Sequence, residues 1–231
     1  MSYALNTSIE APKTERRAKK ITQLGRDRTD NYFWLKDPSW QKVMSAPETL
    51  DSSIRAHLEA ENTYHTDVTS SLQPLSDAIF EEMKDRMEPE DASVPDPDGK
   101  FAYYHRYRKG DQHGVFGRKA FDAKTRQVIG DETVMLDADA IAAEVKGDFF
   151  SFGAVQHSPD HKWLAYTVDR NGSESYEIFL KNIGNGKAQS TDITTSAGSV
   201  QWAADAKTLF WVERDENQRP YAVFALSLIH I

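Results

Sequence analysis

The chain has 231 residues and carries 28 Lys and Arg against 36 Asp and Glu, a formal net charge of −8. That balance argues against a general phosphate-backbone binder, which needs a basic face, and the length admits one large domain or two small ones. There is no cysteine, which removes disulfides, thiolate metal sites and cysteine nucleophiles and suits a reducing compartment. No apolar run is long enough for a signal peptide or for a membrane helix of about 20 residues. A cytoplasmic protein with neither nucleic acid nor membrane as partner is therefore the expectation.

Residues 1–28 are polar and without clear periodicity, and read as an extended or poorly ordered arm. The basic cluster Arg16, Arg17, Lys19 and Lys20 within it reads as a solvated leader. Order is expected from residue 29, where Tyr32, Phe33 and Trp34 form an aromatic group dense enough to need burial. Asp37-Pro38 opens a short helix from Trp40 to Met44, with Pro38 near its first turn. Residues 51–72 place Ile54, Leu58, Val68 and Leu72 at helical spacing, with Asp51 or Ser52 as N-cap. Gln73-Pro74 breaks that helix, and a second one places Leu75, Ile79 and Met83 on one side before ending near Met87. Two amphipathic helices are too little for a free-standing core, so residues 29–88 require another surface.

Residues 89–98 close an acidic, proline-rich stretch that reads as a linker. Beyond it, over 99–231, the period changes from helical to alternating. Residues 101–108 and 115–121 form a hairpin around Lys109-Gly110-Asp111, residues 133–136 an outer strand, and the Ala-rich residues 137–146 a short helical insertion. Residues 152–183 then read as three strands, 152–156, 163–169 and 176–181, with a reversal at Asn171-Gly172. A turn recurs: Pro97-Asp98-Gly99-Lys100, Pro159-Asp160-His161-Lys162 and Ala204-Asp205-Ala206-Lys207 each lead into an aromatic strand. Asp205 follows Asp160 by 45 positions, a spacing that matches the blades of a β-propeller. Asp160 follows Asp98 by 62, which fits one blade plus an insertion.

The fold class expected is thus an N-terminal α-helical arm followed by all-β propeller blades, two and part of a third. A closed propeller needs at least about four blades. The last strand, residues 221–224, runs on into the apolar residues 225–231, which suggests an incomplete polypeptide.

No catalytic constellation is present, and no substrate-binding residue can be named. There is no G-x-S-x-G elbow; Gly172-Ser173-Glu174-Ser175-Tyr176 has the wrong spacing and lies at a hairpin turn. His57, Glu61 and His65 share a helix face and are metal-capable types, but they border the apolar stripe and read as packing residues. His157 and His161 read as surface residues of a blade turn. Asp98, Asp160 and Asp205 are too sparse for calcium loops and read as turn-stabilising aspartates. Tyr103-Tyr104, Phe149-Phe150, Trp163 and Trp211 read as packing between blades rather than a ligand shelf. No metal and no cofactor is expected.

Several of these segments together resemble a family. Asp30-Asn31-Tyr32-Phe33-Trp34-Leu35-Lys36-Asp37 and Leu58-Glu59-Ala60-Glu61-Asn62-Thr63-Tyr64 resemble the D-x-Y-x-W-L-x-D and L-x-x-E-N-x-Y segments of prolyl oligopeptidase-type serine peptidases. Glu81-Glu82-Met83-Lys84-Asp85-Arg86 with Ser93-Val94-Pro95, Phe101-Ala102-Tyr103-Tyr104-His105-Arg106-Tyr107 and Ser158-Pro159-Asp160 continue in register. Gly198-Ser199-Val200-Gln201-Trp202 and Thr208-Leu209-Phe210-Trp211 are similar to the oligopeptidase B branch. The resemblance runs from about Arg28 to Phe224.

It implies a parent protein with a seven-bladed β-propeller and an α/β-hydrolase domain, the propeller restricting entry to short peptides and the N-terminal helices packing on the hydrolase. For the oligopeptidase B branch it implies cleavage after Lys or Arg; a prolyl-specific peptidase and a non-catalytic propeller binding module are the alternatives. The family's Ser, Asp and His lie beyond the last blade, so no catalytic residue is carried over and the chain itself is expected to be inactive. Residues 226–231 depart from the family and read as translated adapter DNA, the mark of a truncated gene model.

Overall fold

The computed structural model describes residues 4–145 and 149–228. Lys146 of the expected helical insertion and residues 229–231 of the apolar tail lie outside them. The chain divides into two compact units, Met1–Met87 and Glu88–Ile231.

The segment expected to be an extended or poorly ordered arm up to residue 28 holds paired strands in its second half. Strands β1 (Lys19–Gln23) and β2 (Arg26–Asp30) pair as an antiparallel hairpin, in register from Lys19 opposite Asp30 to Gln23 opposite Arg26. Their two-residue turn, Leu24-Gly25, is left-handed at both positions, with φ of 51° and 72°, which matches strand twist in a tight hairpin. Lys, Thr and Arg side chains dominate both strands, so no hydrophobic alternation announces them. Trp34 anchors the hairpin's approach: its indole Nε1–H donates to Glu15 O at 2.9 Å, and the Arg17 guanidinium lies 4.2 Å from its ring centre.

Helix α1 spans Trp40–Ser45 and α2 Ser52–Thr69. Asp51 caps α2, its Oδ1 accepting from the amides of Ser53 at 2.8 Å and Ile54 at 3.2 Å, two donors that have no partner within the helix. Ile54 is the one buried residue of that helix. Helix α3 (Gln73–Asp85) starts with Pro74 in its first turn, where a missing N–H costs nothing. Leu75 of its stripe is half-buried, whereas Ile79 and Met83 are exposed, as is the neighbouring Phe80 at 62%. No helix among the described residues is long and apolar enough to cross a membrane.

The second unit is three antiparallel sheets. The first runs β3 (Asp96–Asp98), β4 (Phe101–Arg106), β5 (Val115–Asp122), β6 (Gln127–Asp137) in spatial order. The end of the expected linker is therefore strand β3, and the outer strand expected at 133–136 is 11 residues long. Helix α4 (Ala138–Glu144) is the insertion, capped by Asp137, which accepts from the amide of Ala140 at 3.2 Å. The second sheet runs β7 (Ser151–His157), β8 (Trp163–Asp169), β9 (Glu177–Asn182), β10 (Ala188–Ser190). The third is β11 (Ser196–Trp202), β12 (Thr208–Arg214), β13 (Pro220–Ser227).

Strand β8 shows why the sheets stack as blades. Successive side chains point to opposite faces, and both faces of β8 are buried. Leu164, Tyr166 and Val168 join Met135 and Leu136 of the first blade in one core. Ala165 joins Ile178 and Leu180 of the second blade and Val200, Trp202, Leu209 and Trp211 of the third in another. Polar staples reinforce the second seam: Trp202 Nε1–H donates to Gln156 O at 3.0 Å, and the buried Thr167 hydroxyl donates to Gly198 O at 2.8 Å. The third blade does not stop at Phe224. Leu226 of β13 sits opposite Leu209, and Phe224, Leu226 and Leu228 pack on the second core. The first residues of the apolar tail thus continue the strand.

Candidate functional site

The three repeated turns share a backbone but not a use for their aspartate. The third position of each is left-handed, with φ of 56° at Gly99, 62° at His161 and 55° at Ala206. Asp160 Oδ1 accepts from the Ser158 hydroxyl at 2.6 Å and the Lys162 amide at 3.2 Å. Asp205 Oδ1 accepts from the amides of Lys207 at 2.8 Å and Thr208 at 3.0 Å. Both stabilise their turns, as the sequence suggests. Asp98 does not: its Oδ2 lies 2.8 Å from His157 Nε2, on the last residue of β7 in the next blade.

That pair belongs to a cluster on the seam between the first two blades. The Tyr103 ring of β4 lies flat on His157, with centroids 3.6 Å apart and planes 3° from parallel. The Tyr103 hydroxyl meets His161 Nδ1 at 2.7 Å. Arg118 of β5 donates through Nη1 to His161 O at 2.7 Å, and its guanidinium sits 3.8 Å from the Phe101 ring centre. The Arg118 Nε is buried without a hydrogen-bond partner among the described residues. A side-chain Cβ at Gly99 would stand 2.8 Å from His161 Nε2, so the glycine makes room for that ring. Burial above all holds His161 below the usual histidine range, against the pull of Asp98. Burial likewise raises the Tyr103 phenol. Asp98, His157 and His161 bring three metal-capable groups within 4.8 Å of one another. The two histidines are therefore seam residues, not simple surface turn residues.

A second polar group lies on the same blade. Arg106 forks onto Glu132, Nε to Oε1 at 2.8 Å and Nη2 to Oε2 at 2.7 Å, and the Tyr104 hydroxyl donates to Oε1 at 2.9 Å. The Arg106 hydrogen bonds outweigh desolvation and hold Glu132 down to about 2. Desolvation first, and then the Glu132 hydrogen bond, push the Tyr104 phenol up to about 12.

The other sequence candidates lie in the following surroundings. His57 Nε2 is 3.7 Å from Glu61 Oε1 and 3.5 Å from the Thr14 hydroxyl, with Trp34 6.0 Å from its ring. His65 is not brought into a metal-capable group with them among the described residues. Ser173 and Ser175 lie in a tight turn held by the nearly buried Asp169, whose carboxylate accepts from Asn171, Gly172 and Glu174. The Ser173 hydroxyl accepts from the Ser175 amide at 3.3 Å. Trp211 stacks on Phe224, Trp163 packs on the same core, and Phe150 meets Phe152 edge-on at 4.9 Å. Phe149 is the exception, 45% exposed beside Gly172.

The profile described as prolyl oligopeptidase, N-terminal beta-propeller domain, matches residues 12–228. The chain belongs to that family. Among curated relatives it is 31% identical over 201 residues to the dipeptidyl aminopeptidase BI of Pseudoxanthomonas mexicana, covering 83% of this chain and 26% of that protein. It is 32% identical over 197 residues to the protease 2 of Moraxella lacunata, covering 84% and 26%. The chain thus spans about a quarter of the length of these relatives. Among solved structures, the oligopeptidase B of Leishmania major superposes with a TM-score of 0.80 at 26% identity, over 94% of this chain and 31% of that one. The matched segment reaches Leu228, beyond the Phe224 to which the resemblance extends in the sequence.

Proposed function

We propose that the chain is the N-terminal and propeller part of a serine-type oligopeptidase that hydrolyses short peptides after Lys or Arg. In that reading the propeller limits substrate size, the α/β-hydrolase domain lies in a part of the protein beyond this chain, and the whole works in the cytoplasm. The observation that carries it is the likeness of nearly the entire chain to oligopeptidase B. The exposed apolar side of α3 supports the same assembly, because Ile79, Phe80 and Met83 form a stripe that a hydrolase domain would cover. The chain alone hydrolyses nothing in this reading, since such a peptidase needs an activated nucleophile and an oxyanion hole.

The test compares the full-length product of the source gene with the 231-residue chain on blocked arginyl, lysyl and prolyl amides. The proposal expects cleavage of the basic amides by the full-length protein and none by the chain. Preference for the prolyl amide, or protein-dependent cleavage by the chain alone, contradicts it. The relative named as a dipeptidyl aminopeptidase favours a second reading, removal of dipeptides from free N-termini. In that case a free dipeptidyl amide is cleaved and its N-blocked form is not.

A further inference from the structure

We propose that Asp98, His157 and His161 form a binding site for a divalent transition-metal ion of the zinc, cobalt or nickel class, which clamps the first propeller blade to the second. This goes beyond the peptidase reading and does not depend on it. Asp98 is the last residue of β3, His157 is the last residue of β7, and His161 lies within the Ser158–Lys162 turn between β7 and β8. One carboxylate and two imidazoles are a donor set suited to such ions, whereas calcium and magnesium take oxygen ligands.

Three features hold the donors ready. The Tyr103 hydroxyl engages His161 Nδ1, which leaves Nε2, the atom facing Gly99, as the nitrogen open to an ion. This is the outer-shell contact that fixes the ring of a metal-bound histidine. The flat stacking of Tyr103 on His157 fixes the second ring. Asp98 already lies 2.8 Å from His157 Nε2. A tetrahedral ion with bonds of about 2.1 Å to each would part these atoms by about 0.6 Å. An ion held by both would take the place of the Asp98–His157 hydrogen bond.

The test titrates the untagged 231-residue chain with Co2+ and follows its visible ligand-field absorption, then displaces it with Zn2+. The proposal expects saturation at one ion per chain and a rise in Tm with added Zn2+, because a ligand that binds only the folded state stabilises it. D98N, H157Q and H161Q should each weaken Co2+ binding by about 10–100-fold or more, the range that loss of even an outer-shell partner produces. His65→Ala, on the helix face that also carries His57 and Glu61, should leave binding unchanged. Should H157Q fail to fold, D98N decides, since residue 98 is exposed and asparagine still accepts from His157. Absence of saturable Co2+ absorption, its survival in D98N, or its loss in His65→Ala overturns the proposal.

Discussion

At the level of single residues, the turn aspartates were legible because their partners are local. Asp160 and Asp205 bond to groups two or three positions on, and a Pro-Asp or Ala-Asp before an aromatic strand carries that information. Asp98 looks identical in sequence and does something else, because its partner is 59 positions away in another blade. No local pattern encodes such a contact. Glu132 is the same case, 26 positions from Arg106. Its folded carboxyl sits near 2, below the ordinary value of 4.5. It therefore stabilises the fold fully above about pH 4.5, and that stability is lost as the pH falls toward 2. Urea midpoints measured from pH 6 to 2.5 should fall steeply in the wild type and less steeply in Glu132→Gln. A close approach gives a second expectation. A Cβ at Gly153 would meet Gly198 O and Thr167 Oγ1 at the seam of blades two and three, so Gly153→Ala should cost about 1–3 kcal/mol in urea unfolding.

Among elements, those with strong periodicity or capping were readable and those without were not. Helix α2 announces itself by Asp51 and a stripe, and Asp51→Ala should cost about 1 kcal/mol, measurable in thermal melts. Strand β8 matches its expected bounds because every residue from Leu164 to Val168 is buried and apolar or β-favouring. Hairpin β1–β2 escapes notice because Ile21 alone supplies an apolar position in β1. Strand β3 escapes because its sequence, Asp-Pro-Asp, is linker-like, while an edge strand tolerates proline. For α3, replacing Phe80 and Met83 with serine should change the chain's own stability by no more than about 0.5 kcal/mol each, since both are exposed. In the full-length protein the same pair should lower the Tm and the activity together, if a hydrolase domain covers that face.

For the whole molecule, blade spacing and ordered motifs were enough to read the architecture, and the family match over residues 12–228 agrees with it. The described residues build blades, seams and a helical unit, and the chain spans about a quarter of the length of the relatives it matches. The third blade has three strands among the described residues where the first two have four, and its β13 edge is paired on one side only. An edge of that kind recruits other strands, so the isolated chain should self-associate with rising concentration in sedimentation velocity, and the full-length protein should not. The most direct test of the account is to sequence the source DNA through and beyond the codon for Ala225. The peptidase reading predicts that the frame continues into further repeats spaced like Asp160 and Asp205, 45 residues apart, and then into a G-x-S-x-G at a strand-to-helix turn. Confirmation of residues 226–231 followed by a stop codon in the genome would contradict it, and would leave a propeller module without a catalytic half.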